Sequence, residues 1–118
     1  MSTTSSTTPT AANVLRGALA ELRRPLNADG NGWAQGQFGS GDRCKCAVGA
    51  INEVMDEDYS ARADARAREA LCDAIGAVVG TYGPGATIIN WNDTPGRTFP
   101  EVEAAFERAI ELAEADVR

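Results

Sequence analysis

Apolar residues recur every three or four positions along four stretches of this chain. Such spacing predicts amphipathic helices that each bury one face, and it argues against a protein built mainly from strands. Proline and glycine separate the stretches; Pro25, for example, disfavours a helical conformation in the residue before it. The sequence therefore predicts a mainly α fold with four helices in a single domain. The predicted helices cover about residues 11–24, 44–56, 60–80 and 98–116.

Capping residues indicate where the predicted helices begin and end. Residues 98–101 match a capping box, in which a threonine hydroxyl and a glutamate satisfy free amides at the start of a helix. Gly80 and Gly83 are expected to provide the left-handed conformation that ends the third helix, and the buried face of that helix would extend to Val78. The expected N-caps are Thr10, Ser60 and Thr98.

Two stretches between the predicted helices have strand-like patterns. Residues alternate in character after Trp33 and a turn follows at residues 39–42, so a short β-hairpin over residues 33–46 is the most regular structure expected there. Residues 86–91 are apolar and partly β-branched, which favours a short extended segment. A buried turn of helix would fit the same length.

Three short motifs stand out because helix periodicity does not require them. They are Gly32-Trp33-Ala34-Gln35-Gly36, Cys46-Ala47-Val48-Gly49-Ala50 and Trp91-Asn92-Asp93. Together with Thr98, Glu101 and Val102, they resemble a small domain of unknown function found in actinobacteria and their phages. The family pattern is Gly-Trp-x-Gln-Gly, Cys-Ala-x-Gly-Ala, Trp-Asn-Asp and Thr-x-x-Glu-Val. The resemblance covers about residues 11–115 and implies a fold unit and a bacterial or phage setting, without an established activity.

The charge of the chain narrows the classes of partner. It has 17 Asp and Glu residues against 11 Lys and Arg, and a formal net charge of −6. An acidic surface repels phosphate backbones, so no nucleic-acid partner is expected. The acidic row of the last helix is either a solvated face or an interface for a basic partner. No apolar run is long enough to cross a bilayer, so no membrane partner is expected.

The N-terminal residues and the cysteines indicate the cellular compartment of the protein. Residues 1–10 are rich in Ser and Thr and lack the pattern of a signal peptide. They are expected to form a disordered tail before a single globular domain over residues 11–118. The chain has three cysteines, and a single residue separates Cys44 from Cys46. Neither the odd number nor this spacing suggests a disulfide framework. These features predict a cytoplasmic protein. The resemblance implies that its cell is a bacterium or a phage-infected host.

The sequence contains no histidine, which removes the most frequent general base and the most frequent metal ligand. Three cysteines fall short of the four ligands of a structural zinc site. Residues 27–32 match the first six positions of a calcium-binding loop. Phe38, however, occupies the twelfth position, where such a loop requires a bidentate glutamate. A turn is therefore the favoured role for these residues. No catalytic residue, no metal ligand and no cofactor is predicted.

The three motifs supply the candidate ligand-binding residues. Trp33 and Trp91 need hydrogen-bond partners for their indole nitrogens if they are buried, and neighbouring amides or carboxylates could provide them. One interpretation is a purely structural cluster of side chains in which both tryptophans pack in the core. The other is a small polar cleft beside that cluster, with Arg43 and Arg97 as anion contacts. The candidate ligand-binding residues are Trp33, Gln35, Cys46, Trp91, Asn92, Asp93 and Arg97.

Cys46 supports an alternative function. It lies near the predicted start of the second helix, where the helix dipole lowers a thiol pKa. Thiol hydrolases also use a base, normally histidine, and the chain offers none. A small buried side chain is therefore the favoured interpretation of Cys46.

Taken together, these features predict a non-enzymatic, cytoplasmic binding or regulatory module. The resemblance allows it to be phage-encoded, and its expected target is a host protein or a small molecule. Two alternatives stay open. One is a thiol-dependent enzyme that uses Cys46, and the other is a structural component of a larger assembly. The sequence does not predict the identity of the partner or the oligomeric state.

Overall fold

In the computed structural model, which describes residues 9–115, the chain forms five α-helices. The α-rich prediction is correct, but the prediction of four helices with a short hairpin and an extended segment is wrong. Most of the predicted N-terminal tail lies outside the described residues. None of the described helices is both long and apolar enough to cross a bilayer. The helices are α1 (Ala11–Leu22), α2 (Ala47–Glu57), α3 (Ala61–Ile75), α4 (Gly83–Asn92) and α5 (Phe99–Ala115).

Helix α4 stands where the sequence predicts an extended segment over residues 86–91. Pro84 lies in the first turn of this helix, where a missing amide hydrogen does no harm. The β-branched Thr87 and Ile88 favour a strand, but a strand requires a hydrogen-bonded neighbour, and no strand is present among residues 9–115. As a helix the segment satisfies its own backbone, packs on α2 and α3, and buries Ile88 completely.

Residues 33–46 form a loop instead of the predicted hairpin. Its two ends meet in an isolated parallel bridge between Trp33 and Lys45. The Ala34 amide donates to the Lys45 carbonyl at 2.9 Å, and the Lys45 amide donates to the Gly32 carbonyl at 2.8 Å. A hairpin requires antiparallel pairing, which this direction of the chain does not provide. The loop therefore circles away from Trp33 and returns beside its own start.

The core is formed where α1 packs against α2, α3 and α5. The facing helices contribute Ile51 from α2, Leu71 from α3 and Phe106 from α5, each without exposed surface. Burial of these side chains stabilises helices that would be marginal in isolation. The apolar stripe predicted for α1 is confirmed as buried, and it consists of Val14, Leu15, Ala18, Leu19 and Leu22.

The predicted N-caps at Thr10 and Ser60 are confirmed. Each side-chain oxygen accepts a hydrogen bond from the amide three residues later, at 3.1 and 3.2 Å respectively. The capping box at the start of α5 is only half formed. Glu101 accepts the Thr98 amide at 2.9 Å, but the Thr98 hydroxyl bonds to the same carboxylate and not to an amide.

Helix α3 ends earlier than its apolar periodicity suggests. Gly76 adopts the left-handed conformation at φ +70° and ends the helix, so neither Gly80 nor Gly83 has that role. The prediction that Val78 lies on the buried face is wrong, since its side chain is 91% exposed beyond the end of α3. The first glycine able to adopt the cap conformation sets the end of the helix, and the later apolar residues fall in a loop.

The acidic row of α5 is partly paired with α1. Arg23 donates to Glu103 at 2.7 Å and to Glu107 at 3.0 Å, and Arg16 pairs with Glu114. Exposed ion pairs of this kind each contribute little stability. They do link the first and last helices, and they occupy carboxylates that would otherwise face solvent or a basic partner.

Lys45, the only lysine in the chain, is fully buried. Its Nζ donates to Glu21 Oε1 at 3.1 Å and to the carbonyl oxygens of Gly41 and Arg43 at 2.6 and 3.0 Å. Three acceptors match the three hydrogens of an ammonium group, as a buried charge requires. Burial raises the pKa of the Glu21 carboxyl, but hydrogen bonds from Lys45 and Arg24 hold that pKa below its usual value.

We expect Lys45→Met to lower the free energy of unfolding by about 2 kcal/mol near neutral pH, because two carbonyls and a carboxylate lose a charged donor. The lowered pKa of Glu21 adds stability above the ordinary pKa of 4.5. That stability is lost as the pH falls through the lower pKa of the folded state. Between neutral pH and this acidic range, the free energy of unfolding should therefore fall less for the variant than for the wild type.

Urea titrations followed by circular dichroism, near neutral pH and below about pH 4, measure both effects of Lys45→Met. Arg108→Met is the control, since Arg108 belongs to an exposed pair with Glu111 on α5. Its effect should stay within about 0.5 kcal/mol. Equal losses for the two variants would show that the buried ammonium does not stabilise the fold.

Candidate functional site

The candidate site is built around the C-terminal end of α4. Asn92, the last residue of that helix, is fully buried. Its Oδ1 accepts from the indole Nε1 of Trp33 at 2.7 Å and from the Ala47 amide at 3.0 Å. Its Nδ2 donates to the Ala34 carbonyl at 3.1 Å and to the Asp93 carboxylate at 2.9 Å. One side chain therefore joins the end of α4, the loop after α1 and the first residue of α2.

Gln35 and Asp93 attach the same loop to the end of α4. Gln35 Nε2 donates to the carbonyl oxygens of Asn92 and Thr94 at 3.0 and 2.9 Å. The last carbonyls of a helix lack partners within the helix, so this amide acts as a cap. Asp93 Oδ1 accepts from the amide of Gly36 at 3.0 Å. All these bonds join residues that are far apart in the sequence.

Arg97 covers the other side of this helix end. Its Nε donates to the Trp91 carbonyl at 3.0 Å, and its guanidinium lies 4.2 Å from the centroid of the Trp91 ring. Nη1 reaches Glu101 at 3.4 Å. A cation placed over an indole ring is attracted by the ring quadrupole. Most of the guanidinium therefore binds the protein itself, and Nη2 is left without a partner among residues 9–115.

Cys46 caps α2 and does not present a reactive thiol. Its side chain is 2% exposed, and its Sγ accepts from the Gly49 amide at 3.4 Å. Burial raises the pKa of the Cys46 thiol, the amides at the start of the helix lower it only in part, and the neighbouring Asp93 raises it again. Since the thiolate is the nucleophilic form, these surroundings disfavour thiol chemistry at neutral pH.

The turn at residues 27–32 uses its own side chains. Asn27 Oδ1 accepts from the amides of Asp29 and Asn31 at 2.9 and 3.0 Å, as in a side-chain-to-backbone turn. An oxygen that a calcium loop would direct at the ion is therefore engaged with the backbone. Within residues 9–115, no group of three or more His, Cys, Asp or Glu side chains is placed to hold a metal ion.

An open groove of about 630 Å³ lies beside this network, between the loop after α1 and the start of α5. The candidate residues Trp33, Gln35 and Arg97 line it. Cys46 and Asn92 are buried, while Trp91 and Asp93 are half-buried and are not part of the lining. Arg43, the other expected anion contact, is exposed and does not line the groove either. The rest of the lining includes Asn27, Asp29, Asn31, Thr98, Phe99 and Pro100.

Both interpretations of the three motifs find a counterpart in this geometry. A network of bonds surrounds Asn92, although Trp33 and Trp91 are half-buried and neither lies fully in the core. The groove opens beside that network. A larger hollow of about 830 Å³ lies between the start of α1, α3 and the end of α5, and none of the candidate residues lines it.

Sequence reasoning missed the turn residues that line the groove. Asp29 is exposed, and its carboxylate has no hydrogen bond or ion pair with the described residues. The Asn-x-Asp-x-Asn pattern of residues 27–31 indicates a turn. Nothing local to that pattern indicates that residues 97–100 lie opposite, because the two segments meet only in the folded chain.

A protein-family model matches most of this chain, over residues 6–112. Its description is "Family of unknown function (DUF6197)". No curated protein and no solved structure matches the chain. The comparisons therefore show the family of the chain and no activity.

Proposed function

The chain belongs to the DUF6197 family of unknown function, and we propose that it is a non-enzymatic binding module whose site is the groove beside α4. The supporting observation is that Trp33, Gln35 and Arg97 all line this groove and are all held by the end of one helix. Trp33 is held through the side chain of Asn92. Gln35 and Arg97 are held through backbone carbonyls of the helix end.

The walls of the groove are ordered before a ligand arrives. Asn92 fixes the indole of Trp33, two carbonyls hold Gln35, and a carbonyl with the ring of Trp91 holds Arg97. Side chains that are already ordered lose little conformational entropy on binding. This arrangement favours recognition of a ligand over a role in packing alone.

The groove offers hydrogen-bonding atoms that have no partner in the described part of the chain. The Asp29 carboxylate and Gln35 Oε1 are acceptors, and Asn31 Nδ2 and Arg97 Nη2 are donors. Trp33 and Phe99 add apolar surface. A peptide segment with a basic side chain carries the complementary set: backbone donors and acceptors, an apolar stem and a cation for Asp29. We therefore favour a protein segment over a small molecule as the ligand.

The chemistry of the chain supports a non-enzymatic role. The sequence has no histidine, and the thiol of Cys46 is buried with a raised pKa. These surroundings give the alternative of a thiol-dependent enzyme little support. A regulatory role, a bacterial or phage setting, a cytoplasmic location and a place in a larger assembly stay predictions from the sequence.

Binding of a basic peptide unit is tested with the N-acetyl amide of arginine, titrated into isotope-labelled protein. We expect millimolar concentrations to shift the NMR resonances of Trp33 and Gln35. Asp29→Asn removes the unpaired carboxylate and should weaken this binding about fivefold, which corresponds to about 1 kcal/mol. The N-acetyl amides of the other amino acids, run in parallel, report which side chain is preferred.

Asp58→Asn is the matched control, because Asp58 is exposed at the end of α2, outside the groove. It should leave the affinity unchanged. The proposed site would be wrong if none of the amides shifted a resonance of the groove, or if the two aspartate variants weakened binding equally.

A further inference from the structure

Helix α4 and the loop before it contribute no charged side chain to the surface, and the Arg68 guanidinium beside Gly85 is paired with Asp64. From Ala74 to Asn92 the sequence has no Asp, Glu, Lys or Arg, although these residues make up 24% of the chain. In the loop, Val78 is 91% exposed, Tyr82 is 89% exposed and Val79 is 45% exposed. Large apolar side chains that are exposed together mark a contact surface.

Helix α4 has the same character. The other four described helices separate into a polar and an apolar side, whereas α4 shows almost no such separation and is the most apolar of the five. A helix of this kind is ordinarily covered on all sides. Yet only Ile88 and Asn92 of α4 are buried, while Pro84, Ala86 and Ile89 keep part of their surface accessible. The rest of the described chain therefore covers α4 only in part: Ile89 packs partly against the core, and Asn90 is exposed.

We propose that this neutral surface, residues 76–90, is the interface of a symmetric dimer, so that its occupant is a second copy of the chain. In a two-fold interface the same residues of both copies meet, and a charged residue near the axis faces an identical charge. A chain with a net charge of −6 approaches its own copy best through a patch that carries none. A different protein could instead use complementary charges, which this surface does not offer.

The size of the surface is consistent with a dimer only if the loop and the helix both contribute. Tyr82 alone offers on the order of 200 Å², whereas a stable interface buries about 800 Å² on each partner. The two parts are continuous, since Tyr82 is the residue that precedes α4. A lipid bilayer is a weaker candidate, because the stretch lacks the basic residues that attract anionic lipids.

Sedimentation equilibrium of the full chain, from micromolar to millimolar concentration, tests the proposal. We expect a monomer–dimer equilibrium, and we expect Tyr82→Asp to raise its dissociation constant about tenfold or more, since both copies bring the new charge to the interface. Aspartate is a favourable N-cap, so the start of α4 should stay folded. Tyr59→Asp is the matched control: Tyr59 is 67% exposed between α2 and α3, and the change in charge is the same.

A chain that stays monomeric at millimolar concentration overturns the proposal. So does a dimer that Tyr59→Asp weakens as strongly as Tyr82→Asp. A monomer that co-sediments with phosphatidylcholine vesicles would assign the surface to a bilayer and would also overturn it. If Tyr82→Asp does not fold, Val78→Asp supplies the same measurement, because this almost fully exposed side chain has little part in the fold. The groove beside α4 is a separate surface, so the binding proposal does not depend on this result.

Discussion

Asn92→Ala is expected to lower the free energy of unfolding by about 4 kcal/mol. The indole of Trp33 and the amide of Ala47 lose their shared acceptor, and the carbonyl of Ala34 loses a donor. A buried polar group left unpaired costs about 1 to 3 kcal/mol. Because Asn92 has no exposed surface, water cannot readily replace the missing amide. Urea denaturation followed by circular dichroism measures the loss.

Two further variants make this result specific. Asn90→Ala, at an exposed position on the same helix, should change stability by no more than about 0.5 kcal/mol. Asn92→Asp keeps the acceptor for Trp33, but it turns a second oxygen toward the Ala34 carbonyl and the Asp93 carboxylate. It should therefore destabilise the fold near neutral pH and recover in part in acid, where the new carboxyl is protonated. If Asn92→Ala were as mild as Asn90→Ala, the network would not be a determinant of the fold.

Gly49→Ala is expected to cost about 3 kcal/mol or to prevent folding. Gly49 lies in the first turn of α2, and a Cβ added there would sit 1.8 Å from the carbonyl oxygen of Phe38. That oxygen belongs to the backbone and also accepts the Cys46 amide at 3.3 Å, so it cannot move without opening the loop. Alanine favours a helix over glycine by about 1 kcal/mol, and the overlap outweighs this gain.

Gly17→Ala is the matched control for Gly49→Ala. It places a Cβ within α1, where the nearest atom is the end of the Val54 side chain at 3.0 Å. A side chain can rotate away, so this change should stay within about 1 kcal/mol of the wild type in either direction. Thermal and urea denaturation compare the two variants. Equal stability of Gly49→Ala and the wild type would mean that the loop does not hold its close approach to α2.

Local patterns were sufficient to predict α1, α2, α3 and α5. Their apolar spacing and capping residues act within a few turns of chain, and the N-caps at Thr10 and Ser60 illustrate this. Helix α4 could not be predicted in the same way. Its β-branched residues favour a strand, but a strand requires a neighbouring strand, and residues 9–115 contain none. Whether such a neighbour exists is a property of the whole fold and not of the local sequence.

The candidate site was predictable in its residue types and less so in its geometry. A buried tryptophan indole needs a hydrogen-bond acceptor, which suggested a side-chain amide as its partner. Trp33 does donate a hydrogen bond to the side chain of Asn92. The sequence could not show that Cys46 and Asn92 are buried while Trp33 and Gln35 line a groove, nor that Asp29 lies on it. These facts depend on how segments about sixty positions apart meet, and no local pattern encodes that.

The burial of Lys45 has a consequence for the covalent chemistry of the protein. Acyl donors and enzymes that attach groups to lysine require an ε-amine that reaches solvent. In this chain the sole ε-amine is enclosed and hydrogen-bonded to three oxygens. Acylation at this position therefore requires the segment around Gly41 to open first, and its rate would report how often that opening occurs.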